Sequence, residues 1–143
     1  MRRALPGGYE LDDDRGRLDL NAIHAYLSGE SYWAKGRSRE DTEAAIRNST
    51  RVIGVYAGDR QVGFARVVSD GVTFAYLADV YVLDEARGHG LGVELVREAV
   101  EHGPETDARW ILGTVDAQGL YERFGFGPAS ERIMERLPRR EQL

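Results

Sequence analysis

The sequence predicts a mixed α/β or α+β layer fold, and three observations carry that prediction. Helical periodicity in the first third gives way to β-branched and aromatic runs separated by turn residues. The segment from Val72 to Val82 is apolar on both faces, the pattern of a strand covered on both sides and central in its sheet. A glycine-rich stretch, Arg87 to Gly92, then separates that strand from an amphipathic helix.

Residues 1–8 hold two arginines and Pro6-Gly7-Gly8, and read as a flexible end. Tyr9 to Leu11 reads as a short first strand. Asp19 caps a helix in which Leu20, Ile23 and Leu27 recur at i, i+3 and i+7. After the loop Ser31-Tyr32-Trp33, the capping-box pattern Ser38-Arg39-Glu40-Asp41 opens a second helix to about Ser49. Strands follow at Arg51 to Ala57 and Gln61 to Ser69, with turns at Gly58-Asp59 and Asp70-Gly71. The next helix runs from about Gly90 to His102 on a stripe of Leu91, Leu95, Val96, Ala99 and Val100. Trp110 to Thr114 reads as a strand, Ala117 to Phe124 as a short helix, and Arg132 to Leu137 as a final strand.

A chain of 143 residues without repeats or linkers suits one domain, which at this size buries roughly two thirds of its unfolded surface. With 42% hydrophobic and 30% charged residues it is not a disordered chain. The absence of cysteine excludes disulfides, thiolate metal sites and a cysteine acyl-enzyme, and fits a cytoplasmic location. No apolar run follows Arg2 and Arg3, so no secretory leader is expected. None elsewhere approaches the ~18 residues of a membrane span, so no membrane partner is expected either. The net charge of -5 and the cluster Glu10, Asp12, Asp13 and Asp14 disfavour nucleic acid as a partner. His24, His89 and His102 lack ligand spacing, so no metal is expected.

Arg87 to Gly92 has the chemistry of an anion site. Glycines permit a tight turn and close approach, while free amides at a helix start and the helix dipole favour negative charge. The pattern is neither a dinucleotide-binding G-x-G-x-x-G nor a Walker loop, which requires Gly-Lys-Ser/Thr. Spacing alone leaves open a turn that binds nothing.

Val80 to Gly92 resembles motif A of the GNAT (Gcn5-related N-acetyltransferase) superfamily, Arg/Gln-x-x-Gly-x-Gly/Ala after the central strand, with Arg87, Gly90 and Gly92 at the defining positions. About thirty residues on, Leu120-Tyr121 with Gly125-Phe126 resembles motif B. The resemblance implies a GNAT fold, a mixed sheet of about six to seven strands splayed at the central strand and flanked by about four helices. It implies acetyl-CoA as co-substrate, with the pyrophosphate on the amides of Gly88, His89, Gly90, Leu91, Gly92 and Val93, and the pantetheine arm along Val80, Tyr81 and Val82. Thr114 stands where the family often has Asn, seven residues before the tyrosine.

By the same resemblance Tyr121 faces the coenzyme sulfur as general acid. Asp79, the one charge on the central strand, is costly to bury unless paired, hydrogen-bonded or lining a cleft. The family analogy would have it contact or deprotonate the amine; a role in tying down a strand bulge is the other reading. Tyr32 and Trp33 lie in the loop that covers the acceptor site in this fold, and either enclose an amine or plug the space between helices. Without cysteine, direct attack in a ternary complex is simpler than a covalent relay. The expected activity is therefore acetyl transfer to a primary amine of a small molecule. A protein or peptide acceptor, a non-catalytic acyl-CoA-binding module and a homodimeric assembly stay open.

Overall fold

The computed structural model describes residues 1–141. Its strands are β1 (Arg2–Leu5), β2 (Tyr9–Asp12), β3 (Arg51–Ala57), β4 (Arg60–Ser69), β5 (Phe74–Val82) and β6 (Arg109–Ile111). Its α-helices are α1 (Leu20–Ala25), α2 (Arg39–Arg47), α3 (Leu91–Glu101) and α4 (Gln118–Glu122). The strands form one sheet in sequence order, antiparallel from β1 to β5 and parallel between β5 and β6.

The predicted caps are in place. Asp19 accepts a hydrogen bond from the Ala22 amide at 3.0 Å, and Ser38 accepts one from the Asp41 amide at 3.0 Å. α1 stops at Ala25 and widens into a π turn, Tyr26–Glu30, closed by the Ser31 amide on the Tyr26 carbonyl at 3.0 Å. Asp70 builds the β4–β5 turn by accepting from the amides of Val72 at 2.8 Å and Thr73 at 2.7 Å.

Each face of the sheet carries its own core. Leu91, Leu95, Val96 and Ala99 of α3 pack on Ile53, Val55, Ala65, Val67 and Leu77. On the other face Ile23, Leu27 and Ile46 from the α1–α2 segment pack on Val52, Phe64 and Tyr81.

Between Phe64↔Tyr81 and Arg66↔Ala78 the β4–β5 register slips, so Asp79 and Val80 stand opposite Ala65 alone. Asp79 has φ 53°, a positive value found at no other non-glycine among the described residues. This bulge exchanges the strand's faces. Ala75 and Leu77 point to the α3 core before it, whereas Tyr81 joins the α1–α2 core after it.

β6 pairs with β5 only through Phe74↔Arg109, Ala75↔Trp110 and Tyr76↔Ile111. From Leu77 to Val82 the β6-side edge of β5 has no strand neighbour among the described residues. The splay thus begins just before the bulge.

Two expectations are corrected. Residues 1–8 are not a free end: β1 pairs with β2, and Arg3 reaches α3 to bridge Glu94 at 3.1 Å and Glu98 at 3.2 Å. The element is too short to show a period, and its anchors lie on a distant helix. Arg132 to Leu137 forms no strand either. Met134 is 93% exposed, and beyond β6 lies a cavity of about 680 Å³ bounded by Trp110, Leu112, Phe126 and Ile133. Alternation in sequence does not make a strand without a partner to receive its hydrogen bonds.

Gly63 tests the packing beside the bulge. An added Cβ would lie 3.0 Å from both the Tyr81 carbonyl oxygen and Val55 Cγ2. Gly63→Ala is expected to lower stability by about 1–3 kcal/mol in urea unfolding.

Candidate active site

The buried strand β5 delivers the chain to the glycine turn. After Val82 a single 3₁₀ turn, Asp84–Ala86, leads to Arg87, whose Nε donates to the Val82 carbonyl at 3.3 Å. Arg87 also pairs with Asp84 at 2.9 Å. Gly88 and Gly90 have φ +85° and +71°, the left-handed conformation that favours glycine, with open space at both Cβ positions. Gly90 precedes α3 and supplies no side-chain cap. Between Arg87 and Glu94, no amide finds a protein acceptor among the described residues. Those donors and the start of an 11-residue helix suit a pyrophosphate.

The turn opens on a cleft of about 580 Å³. Val80, Tyr81 and Val82 line it from β5, and Arg87, Gly88, Gly90, Leu91, Gly92 and Val93 from the turn. Tyr32 and Trp33 line it from the α1–α2 loop, and Tyr121 from α4. His89 is not on this wall; its ring lies against Tyr9 at 5.1 Å between centroids.

Tyr121 is 8% exposed, and its ring meets Phe126 edge-on at 6.0 Å. Its hydroxyl has no hydrogen-bond partner among the described residues. Burial, and then the nearby Tyr32 and Asp116, push its phenol up to about 12.

Asp79 lies behind the cleft wall rather than on it. Its Oδ1 accepts from Trp33 Nε1 at 2.8 Å, and its Oδ2 accepts from Arg37 Nη1 at 2.8 Å and Arg66 Nε at 2.7 Å. Burial alone would raise this carboxyl, but the Arg66 charge and the Arg37 hydrogen bond hold it below the usual carboxylate range. The structure therefore brings Asp79 to Trp33 and not to Tyr121. Tyr32 meets Trp33 edge-on at 5.1 Å, and its hydroxyl accepts from the Val115 amide at 3.1 Å. The loop is thus tied to β5 on one side and to the segment before α4 on the other.

Sequence reasoning missed Tyr26, Glu30 and Asp116, which also line the cleft. Tyr26 stacks on Tyr81 at 4.0 Å, and burial raises the Tyr81 phenol well above its ordinary value. The π turn carries Tyr26 and Glu30 to one wall, and no local pattern announces a π turn. Asp116 had a readable position, just ahead of the short helix that bears Tyr121.

A splayed sheet with a glycine turn at its mouth is the architecture of an acetyltransferase. Residues 20–126 match the Acetyltransferase (GNAT) family, and the chain belongs to that family. A crystal structure of a Xanthomonas campestris pv. campestris protein assigned to the GNAT acetyltransferases superposes with a TM-score of 0.88 at 39% identity, over 94% of this chain and 96% of that one. A Gibberella zeae protein assigned to the acetyltransferases is 31% identical over 80% of this chain and 76% of its own length. A GNAT acetyltransferase of Streptococcus pneumoniae shares the fold, with a TM-score of 0.69 at 24% identity over 92% of this chain and 98% of that one.

Proposed function

We propose that this chain is an N-acetyltransferase that moves an acetyl group from acetyl-CoA to a primary amine of a small molecule, by direct attack in a ternary complex. One observation carries the reading: a buried phenol without a partner faces the same cleft as a row of unpaired turn amides. The amides from Gly88 to Val93 would hold the pyrophosphate, and the open edge of Val80 to Val82 would lie along the pantetheine arm.

Acetyl-CoA supplies an activated acetyl group as a thioester. The amine nitrogen bonds to the carbonyl carbon as the carbon–sulfur bond breaks; the nitrogen loses a proton and the sulfur gains one. Tyr121 is neutral across the usable pH range and donates that proton, then recovers one from solvent. Asp79, held by two guanidiniums and an indole, anchors Trp33 and is not the base. Water carries the amine's proton away.

Calorimetric titration with acetyl-CoA, followed by free thiol release against a panel of amines, tests the reading. Binding with acceptor-dependent thiol release is expected. Binding without it would favour an acyl-CoA-binding module, and no binding at millimolar acetyl-CoA would overturn both.

A further inference from the structure

The cleft is electrically lopsided. Among the described residues its one cationic lining residue, Arg87, sits at the glycine turn and is paired with Asp84. The wall also carries two carboxylates, Glu30 and Asp116. Neither has an ion-pair or hydrogen-bond partner among the described residues. Arg37 and Arg66, the cations behind the loop, are both committed to Asp79. The rings of Tyr32 and Trp33, half-exposed and held edge to face, line the same cleft. Tyr121, a buried residue whose hydroxyl is also without a partner among the described residues, lines the same space.

Resting on the acetyltransferase reading above, we propose that the acceptor carries a second positive charge besides the amine that is acetylated, and that Glu30 and Asp116 hold that charge beside the rings of Tyr32 and Trp33. The chemistry is consistent along the cleft. Amides and a helix start attract the anionic donor to the turn. Unpaired carboxylates on the same cleft attract a cation. Aromatic faces add attraction for an ammonium and little for a carboxylate. Glu30 reaches this wall because the π turn closes over five residues, Tyr26–Glu30. Asp116 reaches it from the segment that also presents the Val115 amide to Tyr32. The two carboxylates thus approach from separate elements that meet only in the folded chain. The wall selects by charge, and one amine on an uncharged body would leave part of it unused.

The experiment compares diaminobutane with butylamine at saturating acetyl-CoA, following thiol release. For the wild-type protein kcat/KM is expected to be about tenfold or more higher for diaminobutane, mostly through KM, as two partly screened charge contacts provide. Raising the ionic strength should erode the advantage. In the double variant Glu30→Gln with Asp116→Asn the ratio between the two amines should fall toward one. Both positions are exposed, and melting temperatures verify that the variant folds. A wild-type ratio at or below one overturns the proposal, as does a ratio that the double variant leaves unchanged. Turnover confined to a peptide amine overturns it as well. In those cases thiol release still supports acetyl transfer to an amine; no release with any amine fails both readings.

Discussion

Asp79→Ala is expected to lower stability by about 3–5 kcal/mol, because it strands two guanidiniums that are mostly buried. Arg66 and Arg37 would keep their charges and lose the carboxylate oxygen that both now address at 2.7 and 2.8 Å. Trp33 would lose the acceptor of its indole N–H, so the loop should loosen and the acceptor KM should rise. Urea unfolding reads the first effect and steady-state kinetics the second. Asp79→Asn should recover part of the stability, since asparagine tolerates a positive φ and still accepts hydrogen bonds. If Asp79→Asn abolished kcat while leaving the melting temperature untouched, the carboxylate would be a base and the anchor role wrong. The pH dependence has a definite sign. The folded carboxyl titrates below its unfolded value, so its contribution is whole above the ordinary carboxylate pKa of about 3.9. It is lost as the pH falls through the folded value, and Asp79→Ala should flatten that acid limb.

Tyr121→Phe is expected to reduce kcat by about a hundredfold or more while acetyl-CoA still binds, the size of effect that general-acid catalysis commonly contributes. The ring and its edge contact with Phe126 survive the change, so the fold should be nearly unaffected. Because the hydroxyl bonds to nothing in the protein among the described residues, removing it breaks no structural link. Single-turnover thiol release, where chemistry limits the rate, is the decisive measurement. With the phenol pushed up to about 12, an alkaline fall in kcat well below that value would not belong to Tyr121. An unchanged single-turnover rate would remove the acid role altogether.

Much of the fold was legible because its signals are local. Asp19 and Ser38 announce the starts of α1 and α2, Asp70-Gly71 announces the β4–β5 turn, and the two-faced apolar pattern of β5 announces a central strand. The glycine turn was legible for the same reason, its left-handed backbone being written in Gly88 and Gly90. What stayed hidden depends on distant partners. β1 is held by a hairpin and by Arg3 reaching α3. The role of Asp79 depends on Arg37 and Trp33, which lie far from it in sequence. The charge on β5 marks the residue as consequential, while its partners come together with it only in the folded chain. The six residues from Arg132 to Leu137 mislead in the opposite direction, with a local pattern that finds no strand to pair with.

The open edge of β5 would ordinarily be a hazard, since a row of unspent amides and carbonyls templates edge-to-edge association between chains. Here the cleft along it is lined by Gly92 and Val93 of α3, Leu120 and Tyr121 of α4, and Tyr32 and Trp33 of the α1–α2 loop. The outer strands of the sheet, β1 and β6, are four and three residues long and offer little to copy. The fold can therefore leave a strand unpaired for binding without making it a seed for aggregation.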